Sequence, residues 1–406
     1  MSEIHTTNIP QLDKFLGGGL RTNSITLLWA CPGIDNTPFT YQMLIQELES
    51  GSSCIYISQS KMSSVVESEI EHYGWNIEDY RNRGDFIFID AYSSLINAHS
   101  DDEFFVSNAR EVEEITKALK KALDATGSKH TFVVYDSIST MIDHCGEKSM
   151  DELKIWKKLF EENNATGAFL FTEWPYDDDV LDRLRVAADA IVELKAIEEK
   201  VILREFFVVS KVDWSEKTGK GVSVPFKISA PGGVSVYIPK ILVTGAFNAG
   251  KSSFVHSAST RAVSVDRVGT TVALDHGRVE YAGFTADLFG TPGQERFDPI
   301  LKQLGGESLG VIAVVDSTNP DKLPRVKEML IKSKSAGLPC VIAANKADLP
   351  GALSPDEIRT KMMIPETVHV IPVRVKDLSE VREGSPAELR EEDVHRVLDS
   401  LFASIV

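Results

Sequence analysis

Short apolar runs alternate with amphipathic stretches along the first half of the chain. Apolar residues fill positions 25–29, 54–58, 86–90, 132–135 and 168–172, and stretches with helical spacing lie between them. This alternation predicts repeated strand–helix–strand units. The expected fold is therefore a mostly parallel sheet with helices packed on its faces.

The second half of the chain shows the same kind of pattern. "YIPKILVTG" and "VIAANKADLP" each contain an apolar, strand-like run, and "SPAELREEDVHRVLDSLFASIV" has the spacing of a final amphipathic helix. A chain of 406 residues is more consistent with two domains than with one. We predict domains at residues 1–237 and 238–406, joined by a short linker near Tyr237 to Lys240.

Composition and charge narrow the classes of function. The chain is 43% hydrophobic and 25% charged, as ordinary globular proteins are. No apolar run reaches the roughly 18 residues needed to span a bilayer, and the N-terminus has no secretory signal pattern, so we expect a cytoplasmic protein without a membrane segment. A net charge of −17 argues against nucleic acid or anionic lipid as the main partner.

The cysteines and histidines show no spacing typical of metal ligands. Cys31, Cys54, Cys145 and Cys340 are far apart in the sequence, which favours separate cytosolic thiols. None of the nine histidines pairs with another at helical ligand spacing. His144 beside Cys145 falls short of the four ligands that a zinc site normally needs.

A phosphate-binding loop follows the first strand of the second domain. "GAFNAGKSS" has the G-x-x-x-x-G-K-S pattern between a predicted strand and a predicted helix, which is the context that a P-loop requires. The glycines let backbone N–H groups face phosphate oxygens, Lys251 supplies positive charge and the Ser252 hydroxyl can bind Mg²⁺. The predicted nucleotide contacts of this loop are Gly245, Asn248, Ala249, Gly250, Lys251, Ser252 and Ser253.

A segment at the end of a later strand resembles the guanine-reading sequence of the Ras-like GTPase superfamily. Asn345, Lys346 and Asp348 in "VIAANKADLP" match N-K-x-D. In that superfamily the Asp accepts hydrogen bonds from the guanine ring N–H and amino group. Adenine cannot make this pair, so the resemblance implies that GTP is preferred to ATP.

Two further segments resemble the switches of these GTPases. "LFGTPGQERF" resembles switch II, which implies that Gly293 senses the γ-phosphate and that Gln294 orients the attacking water. "DRVGTTVALDHG" resembles switch I, which implies that Thr271 binds Mg²⁺ and the γ-phosphate, with Thr270 as the alternative. Arg267 in the same segment is either an arginine finger or a solvated loop residue.

The second domain also departs from the superfamily pattern at two places. Gly290 stands where D-x-x-G usually supplies an Asp, and this T-x-P-G-Q pattern occurs in the branch that includes the gliding-motility protein MglA. The amino-acid sequences of both switches are similar to those of Arf-like GTPases of prokaryotic signalling operons. In "HVIPVRVKD", Val375 and Lys376 replace the usual last guanine motif, where the resemblance implies the Lys376 stem on the base and a backbone N–H at guanine O6.

The first domain resembles RecA-like ATPases of the KaiC and RadA kind. "IPQLDKFLGGGLRTNSITLLWACPGIDNTPF" matches their opening segment, strand and P-loop, and "TFVVYDSISTM" matches their Walker B strand. The loop carries Asp35 and Asn36 in place of Gly and Lys, and Ser60 and Lys61 align with the catalytic glutamates. Exchanging a cation for an anion beside a triphosphate costs several kcal/mol, roughly, even at an effective dielectric near 20. Because Asp136 alone remains of this chemistry, we interpret the domain as a pseudo-ATPase.

The sequence thus predicts two α/β domains of the P-loop NTPase type, a RecA/KaiC-like domain followed by a Ras-like small GTPase domain. The leading hypothesis is a GTP/GDP switch in signal transduction that hydrolyses GTP slowly until a partner completes the site. Its predicted catalytic residues are Gln294, Thr271 and Lys251, and its predicted Mg²⁺ ligands are Ser252 and Thr271.

The resemblances also imply partners and leave two alternatives. Related prokaryotic operons suggest a roadblock-like regulator, and RecA-like domains suggest a homo-oligomer. The chain could instead be a non-catalytic nucleotide-binding scaffold. It could also be an ATP-driven RecA-like assembly with a regulatory G domain, which would need the Lys and Glu that are absent at positions 36, 60 and 61.

Overall fold

The chain forms two compact units, Met1–Val236 and Tyr237–Val406. The computed structural model describes residues 3–127, 129–147, 149–199, 202–215, 221–264, 275–293, 301, 308–333, 337–376 and 387–405. None of the helices in these ranges is long and apolar enough to cross a membrane.

The first unit alternates strands and helices, as its apolar runs predict. Its helices are α1 (Pro10–Phe15), α2 (Thr37–Glu49), α3 (Ser63–His72), α4 (Glu78–Asn82), α5 (Val112–Thr126), α6 (Ile138–Cys145), α7 (Ser149–Asn163) and α8 (Asp178–Ala187). Its strands are β1 (Ile4–His5), β2 (Leu20–Arg21), β3 (Ile25–Ala30), β4 (Ser53–Ser58), β5 (Phe86–Asp90), β6 (Phe104–Phe105), β7 (Thr131–Asp136), β8 (Ala165–Thr172), β9 (Ala190–Glu199), β10 (Ile202–Val212) and β11 (Val224–Ser229). The predicted runs at 25–29, 54–58, 86–90, 132–135 and 168–172 lie in β3, β4, β5, β7 and β8.

The main sheet of this unit has the strand order β11-β10-β9-β3-β8-β7-β4-β5-β6. Neighbouring strands from β9 to β6 are parallel, and β10 and β11 are antiparallel additions. Strands β1 and β2 form a separate antiparallel pair. This is the mostly parallel sheet that the sequence pattern predicts, because the crossover helices cover strands that are apolar on both faces.

Aromatic side chains fill the core between the sheet and the helices of the first unit. The rings of Tyr135, Trp156 and Phe169 meet edge to face with centroids 5.0–5.9 Å apart. The indole N–H of Trp156 donates to Thr116 Oγ1 at 2.7 Å, so this buried polar group is paired. The core therefore joins β7 and β8 to α5 and α7.

Strand β12 (Gly233–Thr244) carries the chain from the first unit into the second. Residues Gly233 to Val236 pair with β11, and residues Ile241 to Thr244 pair in parallel with β16 of the second unit. The predicted linker, Tyr237 to Lys240, thus lies inside a strand and not in a loop. Its sequence explains this, since V-S-V-Y-I-P-K-I-L-V-T is rich in β-branched residues throughout.

The second unit is a mixed sheet with helices. Its helices are α9 (Lys251–Ala258), α10 (Leu323–Lys332), α11 (Pro355–Met362) and α12 (Glu391–Ile405). Besides β12, its strands are β13 (Arg261–Ser264), β14 (Asp275–Tyr281), β15 (Phe284–Gly290), β16 (Gly310–Asp316), β17 (Cys340–Asn345) and β18 (His369–Pro372). Helix α12 is the predicted final amphipathic helix, and it buries Val397, Leu401 and Phe402.

Parallel pairing brings the carboxyl ends of three strands together in the second unit. Thr244 at the end of β12 pairs with Ala313 of β16, and Asp316 at the end of β16 pairs with Asn345 at the end of β17. In open α/β sheets, ligands bind outside the carboxyl ends of parallel strands. The loops that follow β12 and β17, which carry the predicted nucleotide contacts, therefore begin at the same edge.

Candidate nucleotide-binding site

The loop after β12 has the backbone geometry of a phosphate cradle. Gly245 and Gly250 have φ angles of +153° and +99°, which residues with side chains rarely adopt. A Cβ on Gly245 would lie 2.2 Å from the Val314 carbonyl oxygen, and a Cβ on Gly250 would lie 2.0 Å from Asn345 Nδ2. Both glycines are therefore required by conformation and by close packing.

Lys251 is the first residue of helix α9, directly after this loop. Its side chain is buried against the loop. Its side chain is 8% exposed, and its Nζ donates to the Ala246 carbonyl oxygen at 2.9 Å. Burial lowers the pKa of Lys251 to about 8, with Asp275 opposing this shift and Lys322 adding to it. The loop thus holds a cation that lacks a full counter-charge, which suits an anionic ligand.

Ser252 is hydrogen-bonded to an acidic residue that the sequence did not identify. Its hydroxyl donates to Asp275 Oδ2 at 2.6 Å. Asp275 begins β14, and its side chain lies against Gly290 of β15, where an added Cβ would be 2.9 Å from the Asp275 Cβ and 3.3 Å from its Oδ2. The Asp275 carboxylate therefore lies beside the position where the superfamily usually carries its switch II Asp.

The start of switch II passes close to the phosphate loop. A Cβ on Gly293 would lie 2.5 Å from the Phe247 backbone nitrogen and 2.8 Å from Lys251 Nζ, so only glycine fits at this point. The structure thus brings Gly293 to the predicted phosphate end. Gln294, Thr271, Thr270 and Arg267 lie outside the described residues.

The loop after β17 is tied to the phosphate loop by two hydrogen bonds. Asn345 Nδ2 donates to the Ala249 carbonyl oxygen at 2.9 Å, and Lys346 Nζ donates to the Asn248 carbonyl oxygen at 3.2 Å. Lys346, with φ at +61°, also binds the carboxylate of Asp316. Burial alone would raise the pKa of Asp316, but the hydrogen bonds from Lys346 and Thr318 outweigh it and lower the pKa.

Two side-chain oxygens at this end of the site have no hydrogen-bond partner among the residues that the structure describes. Asn345 Oδ1 and Asp348 Oδ1 are buried and accept no hydrogen bond from any described residue. Buried polar atoms are nearly always paired in native structures, so each such exception needs an explanation. The oxygens of Asn345 and Asp348 can accept hydrogen bonds, and they lie on the loop that is bonded to the phosphate loop. This arrangement suits a ligand that carries N–H or O–H groups.

The segment after β18 is held by the first turn of α12 and by the residues just before that helix. Arg374 forms a bidentate pair with Asp393 at 2.8 and 2.9 Å, and Val375 bridges to Leu389. The Lys376 N–H donates to the Glu388 carbonyl oxygen at 2.8 Å, and its Nζ lies 3.1 Å from the Glu388 carboxylate.

The structure gives the predicted residue Ser253 a partner in the same segment. The Ser253 hydroxyl accepts a hydrogen bond from the Ala387 N–H at 3.0 Å. The contacts of Ser253, Val375 and Lys376 described here are all within the chain, and none of them tests the predicted contact with a nucleotide.

The corresponding loop of the first unit is filled by its own side chains. Asn36, 8% exposed, lies with Nδ2 at 3.3 Å from the Leu28 carbonyl oxygen and 3.5 Å from that of Phe171. Asp35 accepts a hydrogen bond from the Thr37 N–H at 3.0 Å. The polar groups that replace the phosphate-binding residues are therefore bonded to the neighbouring strands and to the loop's own backbone.

Asp136, the remaining Walker B residue, is likewise paired. Ser60 and Tyr56 donate hydroxyl hydrogen bonds to its Oδ2 at 2.7 and 3.1 Å. Burial raises the pKa of Asp136, and the hydrogen bond from Ser60 is the largest opposing effect. Lys61 forms an ion pair with Glu69 at 2.6 Å. Ser60 and Lys61, which stand in place of glutamates, thus serve local contacts.

Sequence reasoning missed Asp275, Asp316 and Lys322. Lys322 Nζ donates to the Phe247 carbonyl oxygen in the phosphate loop at 3.0 Å. Asp275 could have been found from the hairpin, because a two-residue turn at Ala282 and Gly283 fixes the register Tyr281–Phe284 and brings Asp275 opposite Gly290. Asp316 and Lys322 belong to no sequence pattern that would mark them.

Comparisons with known proteins agree with the two predicted resemblances. The family model of the KaiC ATPase matches residues 5–241, and that of the ADP-ribosylation factor (Arf) family matches residues 236–392. These matches confirm the predicted fold class, a KaiC/RecA-like α/β domain followed by an Arf-like small GTPase domain. Proteins of both kinds carry P-loops, which supports nucleotide binding.

Each of the following relatives matches part of the chain, between 30% and 59% of its length. A UPF0273 protein of Thermotoga maritima is 31% identical over 136 residues, which are 33% of this chain and 55% of that protein. A UPF0273 protein of Pyrococcus furiosus is 26% identical over 244 residues, 59% of this chain and 96% of the relative. ADP-ribosylation factor-related protein 1 of Rattus norvegicus is 33% identical over 130 residues, 30% of this chain and 65% of the relative.

The chain spans about half the length of the first two curated relatives that it matches, 55% and 47%. The KaiC model, by contrast, covers residues 5–241 of 406, which is more than half of this chain. The chain therefore belongs to the KaiC ATPase family, and it carries after that region a second one, residues 236–392, that matches the Arf family.

Proposed function

We propose that this protein is a GTP/GDP-binding switch whose residues 238–406 bind Mg²⁺ and nucleotide and hydrolyse GTP slowly. Residues 1–237 serve as a platform that does not hydrolyse nucleotide. The observation that carries the proposal is the pair of buried oxygens of Asn345 and Asp348, which have no partner in the described part of the chain and lie on the loop that is bonded to the phosphate loop.

The base-reading end favours guanine over adenine. Guanine presents a ring N–H and an amino group on one edge, and a carboxylate offers only acceptors. Asp348 Oδ1 is such an acceptor, buried and without a protein donor among the described residues. Adenine has a bare ring nitrogen at this edge, which would face the carboxylate with a lone pair. The predicted contacts of Val375 and Lys376 complete this end of the proposed site.

The phosphate end supplies charge and backbone donors. Lys251 lies buried in the loop, and a Cβ on Gly293 would lie 2.8 Å from its ammonium nitrogen. Phosphate oxygens would replace the Ala246 carbonyl oxygen as the acceptor for Lys251 and restore the charge balance that burial disturbs. The loop residues Gly245, Asn248, Ala249, Gly250, Ser252 and Ser253 are the proposed further contacts.

The oxygen atoms of Ser252 and Asp275 are ligands of the kind that Mg²⁺ prefers. Mg²⁺ prefers oxygen ligands and keeps several waters, usually with one or two carboxylates nearby. The Ser252 hydroxyl and the Asp275 carboxylate lie 2.6 Å apart. We propose that Ser252, together with Thr271, binds the ion and that Asp275 orients its waters in place of the Asp absent at Gly290. When bound, Mg²⁺ neutralises charge that develops on the phosphates.

Hydrolysis requires a positioned water. Gln294 orients the water that attacks the γ-phosphorus, the bond to the bridging oxygen of GDP breaks, and GDP and phosphate leave. The Gly293 N–H binds the γ-phosphate during this step, and the Lys251 ammonium stabilises the charge on the phosphoryl oxygens. Turnover is slow without a partner, because an arginine supplied in the site is worth about 10³–10⁵ in rate. Arg267 stays a second, untested source of such a charge.

The first domain is proposed to bind or assemble and not to hydrolyse. Asn36 is bound to strand carbonyl oxygens where a P-loop lysine would reach phosphate, and Asp136 is satisfied by Ser60 and Tyr56. A side chain engaged in this way would have to give up its contacts before it could bind a ligand. A roadblock-like regulator, by analogy with prokaryotic operons, and a second copy of the chain are the proposed partners.

The first prediction concerns base specificity. Asp348→Ala should weaken GDP binding by about 100-fold or more, because the guanine donors lose their acceptor. Asp348→Asn should shift the preference toward xanthosine diphosphate, since the Asn amide N–H can donate to the carbonyl that replaces the guanine amino group. Competition of GDP, XDP and ADP against a fluorescent GDP analogue measures all three affinities.

The matched control for this prediction is Asn36→Ala, which alters the loop of the first domain. It should leave the affinities for guanine nucleotides unchanged. Equal affinity of the parent protein for GTP and ATP would contradict the proposed specificity.

The second prediction concerns Asp275. Asp275→Asn should raise the Mg²⁺ concentration needed to retain GDP by on the order of tenfold, because the carboxylate that orients bound water is lost. The double variant Asp275→Gly, Gly290→Asp moves the carboxylate to the neighbouring strand. It should therefore retain GDP at a Mg²⁺ concentration close to that of the parent protein. Release of a fluorescent GDP analogue, followed across a Mg²⁺ titration, reports the effect.

Glu280→Gln is the matched control, since Glu280 is an exposed acid on the same strand. It should not change the Mg²⁺ response. A response of Asp275→Asn identical to that of Glu280→Gln would remove Asp275 from the metal site.

The third prediction concerns turnover. Gln294→Leu should slow single-turnover GTP hydrolysis by at least about tenfold while GDP affinity stays unchanged, because Leu cannot orient water. Arg267→Ala, measured in parallel, distinguishes the two roles considered for Arg267. Its substitution should slow hydrolysis if Arg267 is an arginine finger and should have no effect if Arg267 is a solvated loop residue. Hydrolysis by Gln294→Leu at the parent rate would show that Gln294 does not position the water.

The fourth prediction is a pH dependence of binding. Burial lowers the pKa of Lys251 to about 8, so the nucleotide-free protein loses this proton as the pH rises past that value. Phosphate binding requires the charged form, so affinity for GDP should be flat below about pH 7.5 and fall by up to tenfold per pH unit above about 8. Calorimetry in buffers of different ionisation enthalpy should show proton uptake above this pH.

Lys251→Ala tests the assignment of this proton. The variant should lose most of its nucleotide affinity, and the residual binding should no longer depend on pH in this range. An unchanged pH profile in the variant would assign the titration to another group.

A further inference from the structure

A cluster in the first domain joins three residues that are remote in sequence. His5 lies on β1, Glu47 lies near the end of α2, and His130 immediately precedes β7. His5 Nδ1 is 3.2 Å from Glu47 Oε1, and His130 Nδ1 is 3.4 Å from Glu47 Oε2. Their side chains are 11%, 3% and 8% exposed. Nothing in the proposed GTPase chemistry uses these residues.

The hydrogen bonds around His5 indicate where its nitrogen lone pair lies. The Thr22 hydroxyl donates its single hydrogen to the Glu3 carbonyl oxygen at 2.9 Å. Thr22 Oγ1 must therefore accept from His5 Nε2, which is 3.2 Å away. A neutral imidazole protonated at Nε2 has a lone pair at Nδ1, and this lone pair faces the Glu47 carboxylate.

His130 has the same kind of surroundings. Its Nε2 is 2.9 Å from Thr166 Oγ1, and the Thr166 hydroxyl has an acceptor of its own, the Arg21 carbonyl oxygen, at 3.4 Å. Ser52 donates its hydroxyl hydrogen to Glu47 Oε2 at 2.7 Å, so its oxygen, which lies 3.2 Å from His130 Nδ1, does not donate to that ring. The Nδ1 atoms of both rings thus face one carboxylate, and a cation bound by both Nδ1 atoms would balance its negative charge.

Protons on both rings are a poor way to supply that charge. The two rings stack with centroids 3.7 Å apart and an interplanar angle of 16°. Two imidazolium ions in this arrangement would repel each other. One divalent cation shared by two neutral rings supplies the charge without placing like charges face to face.

The donor spacing suits a small transition-metal ion. Bond lengths of about 2.0–2.1 Å in a tetrahedral zinc site put neighbouring donor atoms about 3.3 Å apart. The two nitrogen–oxygen distances in the cluster, 3.2 and 3.4 Å, bracket this value. Coordination in the plane of both imidazoles requires one ring to tilt out of the stacked arrangement. The Thr22 and Thr166 hydroxyl oxygens are within hydrogen-bond distance of Nε2 of His5 and His130, respectively. Metal-binding histidines usually have such a partner at the ring nitrogen that does not bind the metal.

We propose that His5 Nδ1, His130 Nδ1 and the Glu47 carboxylate form a binding site for a divalent transition-metal cation, with Zn²⁺ as the expected ion. Two imidazoles and one carboxylate are a known protein donor set for zinc, with water as the fourth ligand. The site joins β1, α2 and the chain before β7. Since metal bound only by the folded state stabilises that state, the cation fastens the first residues of the chain to the core of the domain.

Cobalt binding to the full-length protein tests this proposal directly, because Co²⁺ takes similar ligands and has visible absorption. The protein is stripped with a chelator and titrated with Co²⁺ in excess Mg²⁺, which keeps the nucleotide site occupied by the harder ion. We expect one equivalent with the strong visible bands of low-coordinate cobalt and without a thiolate charge-transfer band. Zn²⁺ should displace the cobalt and raise the Tm.

Substitutions assign the signal to the cluster. His5→Gln and His130→Gln should each weaken Co²⁺ binding by more than about 100-fold and abolish the Zn²⁺ effect on the Tm. His99→Gln is the matched control, since His99 is an exposed histidine 3.7 Å from an acid, Asp101, in the same domain. It should bind like the parent.

Two results would overturn the proposal. One is parent protein that binds no more Co²⁺ than His5→Gln does. The other is a stability that depends on pH through His5 but does not respond to Zn²⁺, which would identify the cluster as a protonated ion pair. Both are measured on the parent protein as well, so a variant that fails to fold does not prevent a decision.

Discussion

The hydrogen bond from Asn345 to the phosphate loop is the constraint on which the second domain's site depends. Asn345 Nδ2 reaches the Ala249 carbonyl oxygen at 2.9 Å, and Gly250 must lack a side chain because a Cβ there would meet the same nitrogen at 2.0 Å. Lys346 adds a second link to Asn248. The loops proposed to read phosphate and base are thus fixed to each other, so a ligand that spans both meets a preorganised site.

The candidate sites of the two domains treat their buried polar groups in opposite ways. In the first domain, Asn36 and Asp136 are paired with protein atoms. In the second, the oxygens of Asn345 and Asp348 have no protein partner among the described residues. A loop that satisfies its own polar groups holds its shape without a ligand, whereas a loop that leaves acceptors buried and unpaired has a reason to bind one. In the first domain, Asn36 and the strand carbonyl oxygens that it contacts hold the shape of the loop without a lysine at this position.

The sequence was most informative where function lies in contiguous residues. The phosphate loop and the N-K-x-D segment are short, and the apolar runs predicted the strands that carry them. Asp275 was missed because its place beside Ser252 and Gly290 comes from pairing across a hairpin, although the turn at Ala282 and Gly283 could have given the register. His5, Glu47 and His130 come from three separate elements, and only the fold brings them together. The roles of Thr271 and Gln294 stay predictions, since both lie outside the described residues.

The central claim is that the second domain, and not the first, binds the nucleotide and that the nucleotide is guanine-based. Its most direct test is the identity of the nucleotide that co-purifies with the full-length chain, released by denaturation and quantified by chromatography and mass spectrometry. We expect guanine nucleotide, close to one equivalent per chain, which is retained in Asn36→Ala and lost in Lys251→Ala. Adenine nucleotide in its place, retained in Lys251→Ala, would show that the second domain is not a guanine-nucleotide site.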